Sequence, residues 1–216
     1  MRDLFSRQME KLHVELIEMG ALCEQAISRA YQVLMEEDPK AAEELRKKDA
    51  AIDAKEREIE SICLKLLLQQ QPVASDLRQV SAALKMITDM ERIGDQASDI
   101  AEIVQTTHLK APSTDIKIKE MAQITQRMVS KSVDAYVKQD LIIARQVIQE
   151  DDLVDRLFDE VKRELVERLQ DQNSSGEQTL DYLMIAKYYE RIGDHATNIA
   201  EWVEFSITGQ HEGEQG

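Results

Sequence analysis

Apolar residues recur along this chain at helical intervals. Leu12, Leu16, Met19, Cys23, Ala26, Ala30 and Val33 are spaced three or four apart. That spacing places them on one face and predicts a first helix over roughly residues 4–36. Leu45, Ile52, Ile59 and Leu66 recur every seven and predict a second helix over 39–70. A third is expected from about 74 to 107. The prolines punctuate this pattern. Pro39 follows Asp38, an N-cap with proline at the first helical position. Pro72 and Pro112 are read as closing one helix and opening the next.

After Pro112-Ser113-Thr114-Asp115, read as a linker, the pattern starts again. Asp38 returns as Asp140, and Leu45, Ile52 and Ile59 return as Val147, Val154 and Val161 at the same offset. Asp49 and Asp53 return as Asp151 and Asp155, while Ser28 aligns with Ser130. The third helix repeats almost verbatim, Glu91-Arg92-Ile93-Gly94-Asp95 as Glu190-Arg191-Ile192-Gly193-Asp194. Its offset is shorter by three, which places a small deletion near Asn173 to Gly176. The chain therefore divides into homologous units at 1–110 and 111–210, with 211–216 expected as a disordered tail. Long helices joined by short loops run antiparallel and bury their stripes on one another. The fold class is all-α, either two tandem three-helix bundles or one elongated six-helix array.

Composition agrees with this. Among 216 residues, aromatics are 4%, with 7 Gly and 3 Pro, which is poor material for sheets and tight turns. A hydrophobic share of 43% is enough for a packed core. The net charge of -15 repels nucleic-acid phosphates and anionic lipids, leaving cations and basic protein surfaces as partners. The first dozen residues carry no signal-peptide core, and no apolar run is long enough to span a membrane. Cys23 and Cys63 lack CxxC spacing and suit a reducing cytoplasm.

The acids are ordered too. On the third helix Glu91, Asp95, Asp99 and Glu102 project from one side, and Asp49, Asp53, Glu56 and Glu60 do the same on the second. The second unit offers Asp151, Asp155 and Asp159, then Glu190, Asp194 and Glu201, with Asn198 where Asp99 stood and Phe158 where Glu56 stood. Like charges one turn apart cost a helix roughly 0.2–0.5 kcal/mol per pair. A cation between two such rows reverses the sign, and carboxylates suit Mg, Mn, Ca or iron, with zinc also accessible. The plainer reading is a solvated face in which Lys48, Lys55, Arg57 and Arg92 pair with the acids.

The runs Pro72-Val73-Ala74-Ser75-Asp76-Leu77-Arg78, Met90-Glu91-Arg92-Ile93-Gly94-Asp95 and Tyr189-Glu190-Arg191-Ile192-Gly193-Asp194-His195-Ala196-Thr197-Asn198-Ile199-Ala200-Glu201 resemble the PhoU family across essentially the whole chain. The resemblance implies a cytoplasmic, non-enzymatic protein built of two three-helix bundles. It implies a negative regulator of phosphate uptake and of the phosphate-starvation response. Such a regulator couples the ATPase subunit of a phosphate ABC transporter to a membrane sensor histidine kinase. It further implies multinuclear iron or zinc clusters in some members, on motifs that map to Asp49 and Asp53, Glu91 and Asp95, Asp95 and Asp99, Asp151 and Asp155, and Glu190 and Asp194. With Asn198 and Phe158 in place of acids, the second cluster is expected to be the less well supplied. Another divalent cation, or none, stays open, as does monomer against homodimer.

Two rival readings complete the expectations. A carboxylate metal store or di-metal enzyme would use Glu-xx-His on two helices, and the chain has one match, Glu10 to His13. A helical scaffold accounts for the stripes but not for acid rows copied in register. His195, beside Asp194, is a candidate ligand or supporting group. No P-loop, nucleophile elbow or HExxH is present, and no Gly-rich loop cradles phosphate.

Overall fold

The structure, a computed structural model, describes residues 2–70, 74–107, 109–112, 116–170 and 175–210. Pro72, most of the linker and the tail from 211 lie outside the described residues, as do Asn173 and Ser174. Six helices follow in order: α1 (Arg2–Glu36), α2 (Pro39–Gln70), α3 (Ala74–Thr107), α4 (Ile118–Lys138), α5 (Leu141–Leu169) and α6 (Gly176–Thr208). The first three match their predicted bounds within two residues. Pro112 does not open a helix, because α4 begins only at Ile118.

Local chemistry explains the starts. The Asp38 carboxylate accepts the Lys40 amide at 2.9 Å, and Asp140 accepts the amides of Ile142 and Ile143 at 2.9 and 3.1 Å. Each cap satisfies a first-turn N–H that the helix leaves unpaired. Gln139 supplies the left-handed turn (φ 51°) between α4 and α5.

The heptad residues Leu45, Ile52, Ile59 and Leu66 are all buried, as is the whole α1 stripe. Antiparallel pairing shows in the side chains that meet. Lys55 of α2 reaches Glu15 and Glu18 of α1, and Arg145 of α5 reaches Glu204 of α6. Within each unit the three helices surround their stripes, and α1 and α3 also pack on α4 and α6. One core therefore runs through both units. Its most extensive contact is α3 on α6. The Tyr136 hydroxyl on α4 donates to the Gln79 carbonyl on α3 at 2.7 Å, a further tie between the units.

Cys23 and Cys63 are buried thiols, and the Cys23 thiol donates to the Met90 carbonyl at 3.3 Å. Burial pushes both thiols well above their ordinary value, so they act as packing residues. His13 is half-buried with its ring edge-on to Tyr136 at 5.7 Å. His13 therefore packs on α4 and not against the acid rows, while Glu10 is exposed.

Candidate metal centres

The acidic rows of α2 and α3 face each other, and so do those of α5 and α6. Gly94 and Gly193 make this possible. A Cβ on Gly94 would stand 2.8 Å from both Asp49 Oδ1 and Ile52 Cδ1. On Gly193 it would stand 3.2 Å from Asp151 Oδ1 and 3.3 Å from Val154 Cγ1. The mid-helix glycines thus serve close helix contact and make room for an acid in the same place. Gly94→Ala is expected to destabilise by about 1 kcal/mol and Gly193→Ala to be close to neutral. Urea unfolding of both variants checks this, and equal effects would contradict the tighter approach at Gly94.

Burial and mutual repulsion perturb these acids. Asp49 is pushed up to about 6, by burial first and then by Asp95, Asp53, Glu91 and Asp99. Asp151 is likewise pushed up to about 6, by burial, Asp194 and Asp155, with the nearby Thr197 hydroxyl lowering it slightly. Its Oδ1 is buried and accepts no hydrogen bond among the described residues. Glu91, Asp99, Asp155 and Asp194 are raised as well, each mainly by burial and then by neighbouring carboxylates. Carboxylates held together against their charge are what a divalent cation relieves.

Among the described residues one set is drawn close enough to share an ion. Asp155 of α5 and Glu190 and Asp194 of α6 each offer an oxygen, all within 4.8 Å of one another. The better-gathered acids thus stand in the second unit, against the expectation from residue counts. The basic neighbours explain it. Arg92 stays on its own helix and pairs with Glu91 at 3.5 Å and Asp95 at 3.2 Å. Its counterpart Arg191 instead lies close enough to Asp99 and Tyr188 to act on both. Glu190 pairs with Lys187, whose ammonium sits 5.4 Å from the Phe158 ring centre. Phe158 therefore holds a cation where the first unit has Glu56.

Asp49, Asp53, Glu91, Asp95 and Asp99 line the first row and act on one another electrostatically. Asp151 flanks the gathered set in the second. Lys55 does not serve the rows, since its partners are Glu15, Glu18 and Glu58. His195 is turned to the seam between units. Its Nδ1 lies 2.9 Å from Asp89 Oδ1, which also accepts from Asn198 at 3.1 Å. Asp89 carries no signal in the sequence, and only α3 packing on α6 brings it there.

The PhoU domain family matches residues 16–104 and again residues 118–203, one copy on each unit. The chain belongs to the PhoU family. A relative from Clostridium acetobutylicum, a phosphate-specific transport system accessory protein PhoU homolog, is 37% identical over 97% of this chain and 96% of its own length. A homolog of the same description from Pseudomonas aeruginosa is 33% identical over 95% and 86%. The crystal structure of PhoU from Pseudomonas aeruginosa superposes with a TM-score of 0.87 over 95% of this chain and all of the other, at 33% identity. The phosphate transport system regulatory protein PhoU from Streptococcus pneumoniae gives 0.88 over 96% and 98%, at 27% identity. No helix among the described residues is long and apolar enough to cross a membrane.

Proposed function

We propose that this chain is a negative regulator of phosphate uptake and of the phosphate-starvation response. It acts at the cytoplasmic face as an adapter between the ATPase subunit of a phosphate ABC transporter and a sensor histidine kinase, and it is not an enzyme. The observation that carries this reading is the PhoU match on both units, with relatives named as accessory proteins covered along almost their whole length. A net charge of -15 suits basic patches on such partners. An adapter transmits a signal by preferring one state of its partner, so it needs no phosphate pocket of its own.

The metal proposal is separate. Asp155, Glu190 and Asp194, with Asp151 beside them, would hold a divalent cation such as iron, zinc or manganese, and Asp49, Asp53, Glu91, Asp95 and Asp99 would supply the first row. The cation would neutralise charge and clamp α5 to α6, while Lys187 holds part of that place by pairing with Glu190. This donor set also supports a second reading, a carboxylate metal store.

The test is tagged protein drawn from phosphate-replete cells and read by mass spectrometry. Recovery of a transporter ATPase or sensor kinase, with the complex weakening as salt rises from about 0.05 to 0.5 M, is the expected result. Recovery of neither, together with stoichiometric metal in the purified protein, would favour the store.

A further inference from the structure

Homologous units repeat their surfaces as well as their cores, so places where they part company carry information. A cavity of about 660 Å³ opens in the first unit between α1, α2 and α3, with Gln126 of α4 at its edge. Leu22, Ala26, Leu45 and Ile52 give it an apolar floor, and Arg29 and Lys48 stand in its wall. The volume and mixed lining are those of small-molecule sites, roughly 300–1,000 Å³.

The second unit closes the corresponding space in two ways. Ala26 and Ala51 become Met128 and Leu153, the first fully buried and the second packed on the core. In addition, Arg127 and Lys131 of α4 both pair with Glu150 of α5, bridging the helices. The first unit cannot make that bridge. The counterparts of Lys131 and Glu150 are Arg29 and Lys48, two cations. Arg29 turns along its own helix to Glu36 at 3.1 Å. Lys48 has no hydrogen bond or ion pair among the described residues. Like charge therefore holds open the gap that opposite charge closes in the other unit, and an anion between the two cations would restore the missing link.

The carboxylates nearby set the class of that anion. Glu24 and Asp49 share the wall, with Asp49 turned to Gly94. They disfavour a polyanion. The apolar floor is far larger than a bare inorganic ion would cover.

We propose that this cavity binds an amphipathic organic monoanion, its apolar body on Leu22, Leu45 and Ile52 and its charged group between Arg29 and Lys48.

The test uses 8-anilinonaphthalene-1-sulfonate, an apolar planar body with one negative charge, titrated into the full chain by fluorescence. One saturable site is expected. Ala26→Met with Ala51→Leu, which imports the side chains of the second unit, should weaken binding at least about tenfold. Lys48→Glu, which offers Arg29 the partner that Glu150 offers Lys131, should do the same at about tenfold. Both variants should keep wild-type circular dichroism and melting temperature. Millimolar inorganic phosphate should leave the bound dye in place. Unchanged binding in the packing variant would overturn the site, and displacement by phosphate would overturn the amphipathic class. If the packing variant fails to fold, Lys48→Glu at its exposed position decides alone.

Discussion

Stripped of metal, the variant Asp49→Asn with Asp151→Asn should be more stable than wild type near pH 7.5 and lose about half of that advantage as the pH falls to about 5. Both carboxyls stand at about 6 in the folded protein, against an ordinary value of 3.8. A group raised by folding binds its proton more tightly in the folded state. Ionising it therefore costs stability as pH rises from about 4 through 6, and neutral pH carries the full cost. The shift formally amounts to about 3 kcal/mol per group. Both groups are half open to solvent, so screening reduces this to about 1–1.5 kcal/mol each. Removing both charges should give about 2–3 kcal/mol at pH 7.5 and about half of that at pH 5. His13 opposes the trend in absolute stability, because burial lowers its imidazole and acid must charge it. It is common to both proteins and cancels from the difference. Urea melts at the two pH values measure the gap. A gap that stays constant with pH would mean that neither acid is perturbed.

Manganese(II) should undo the same penalty. At about 100 times its dissociation constant, a cation that binds only the folded chain adds about 2.7 kcal/mol. For a chain of this length that is a rise of roughly 5–10 °C in melting temperature. Glu190→Gln with Asp194→Asn should abolish most of the rise, since it removes two of the three gathered ligands. Without metal the same variant should melt within about 3 °C of wild type, because relief of repulsion offsets the partner lost by Lys187. Differential scanning fluorimetry with manganese(II), iron(II) and zinc(II) provides the comparison. A rise retained in the variant would move the site away from Asp155, Glu190 and Asp194. No rise with any of the three would leave the acids as a solvated face.

The acid rows were legible in the sequence because all members of each row lie on one helix, where a spacing of three or four defines a face. Asp49 opposite Gly94 was legible in part, since a glycine repeated mid-helix beside an acid signals close approach. The gathering of Asp155, Glu190 and Asp194 was not. It depends on where Arg92 and Arg191 lie: Arg92 pairs with acids of its own helix, while Arg191 acts on Asp99 of α3 in the other unit. Asp89 beside His195 was invisible, because the pair is 106 residues apart and belongs to no local pattern.

The sequence by itself determined the six helices, the caps at Asp38 and Asp140, the duplication and the family, since each rests on periodicity or on contiguous motifs. Tertiary structure alone decided that the two units share one core through α3 and α6. It also decided which acids can meet on one cation, and that the first unit keeps open a cavity which its copy fills. Those outcomes turn on side chains from different helices competing for the same space and the same charge, and no single stretch of chain contains both competitors.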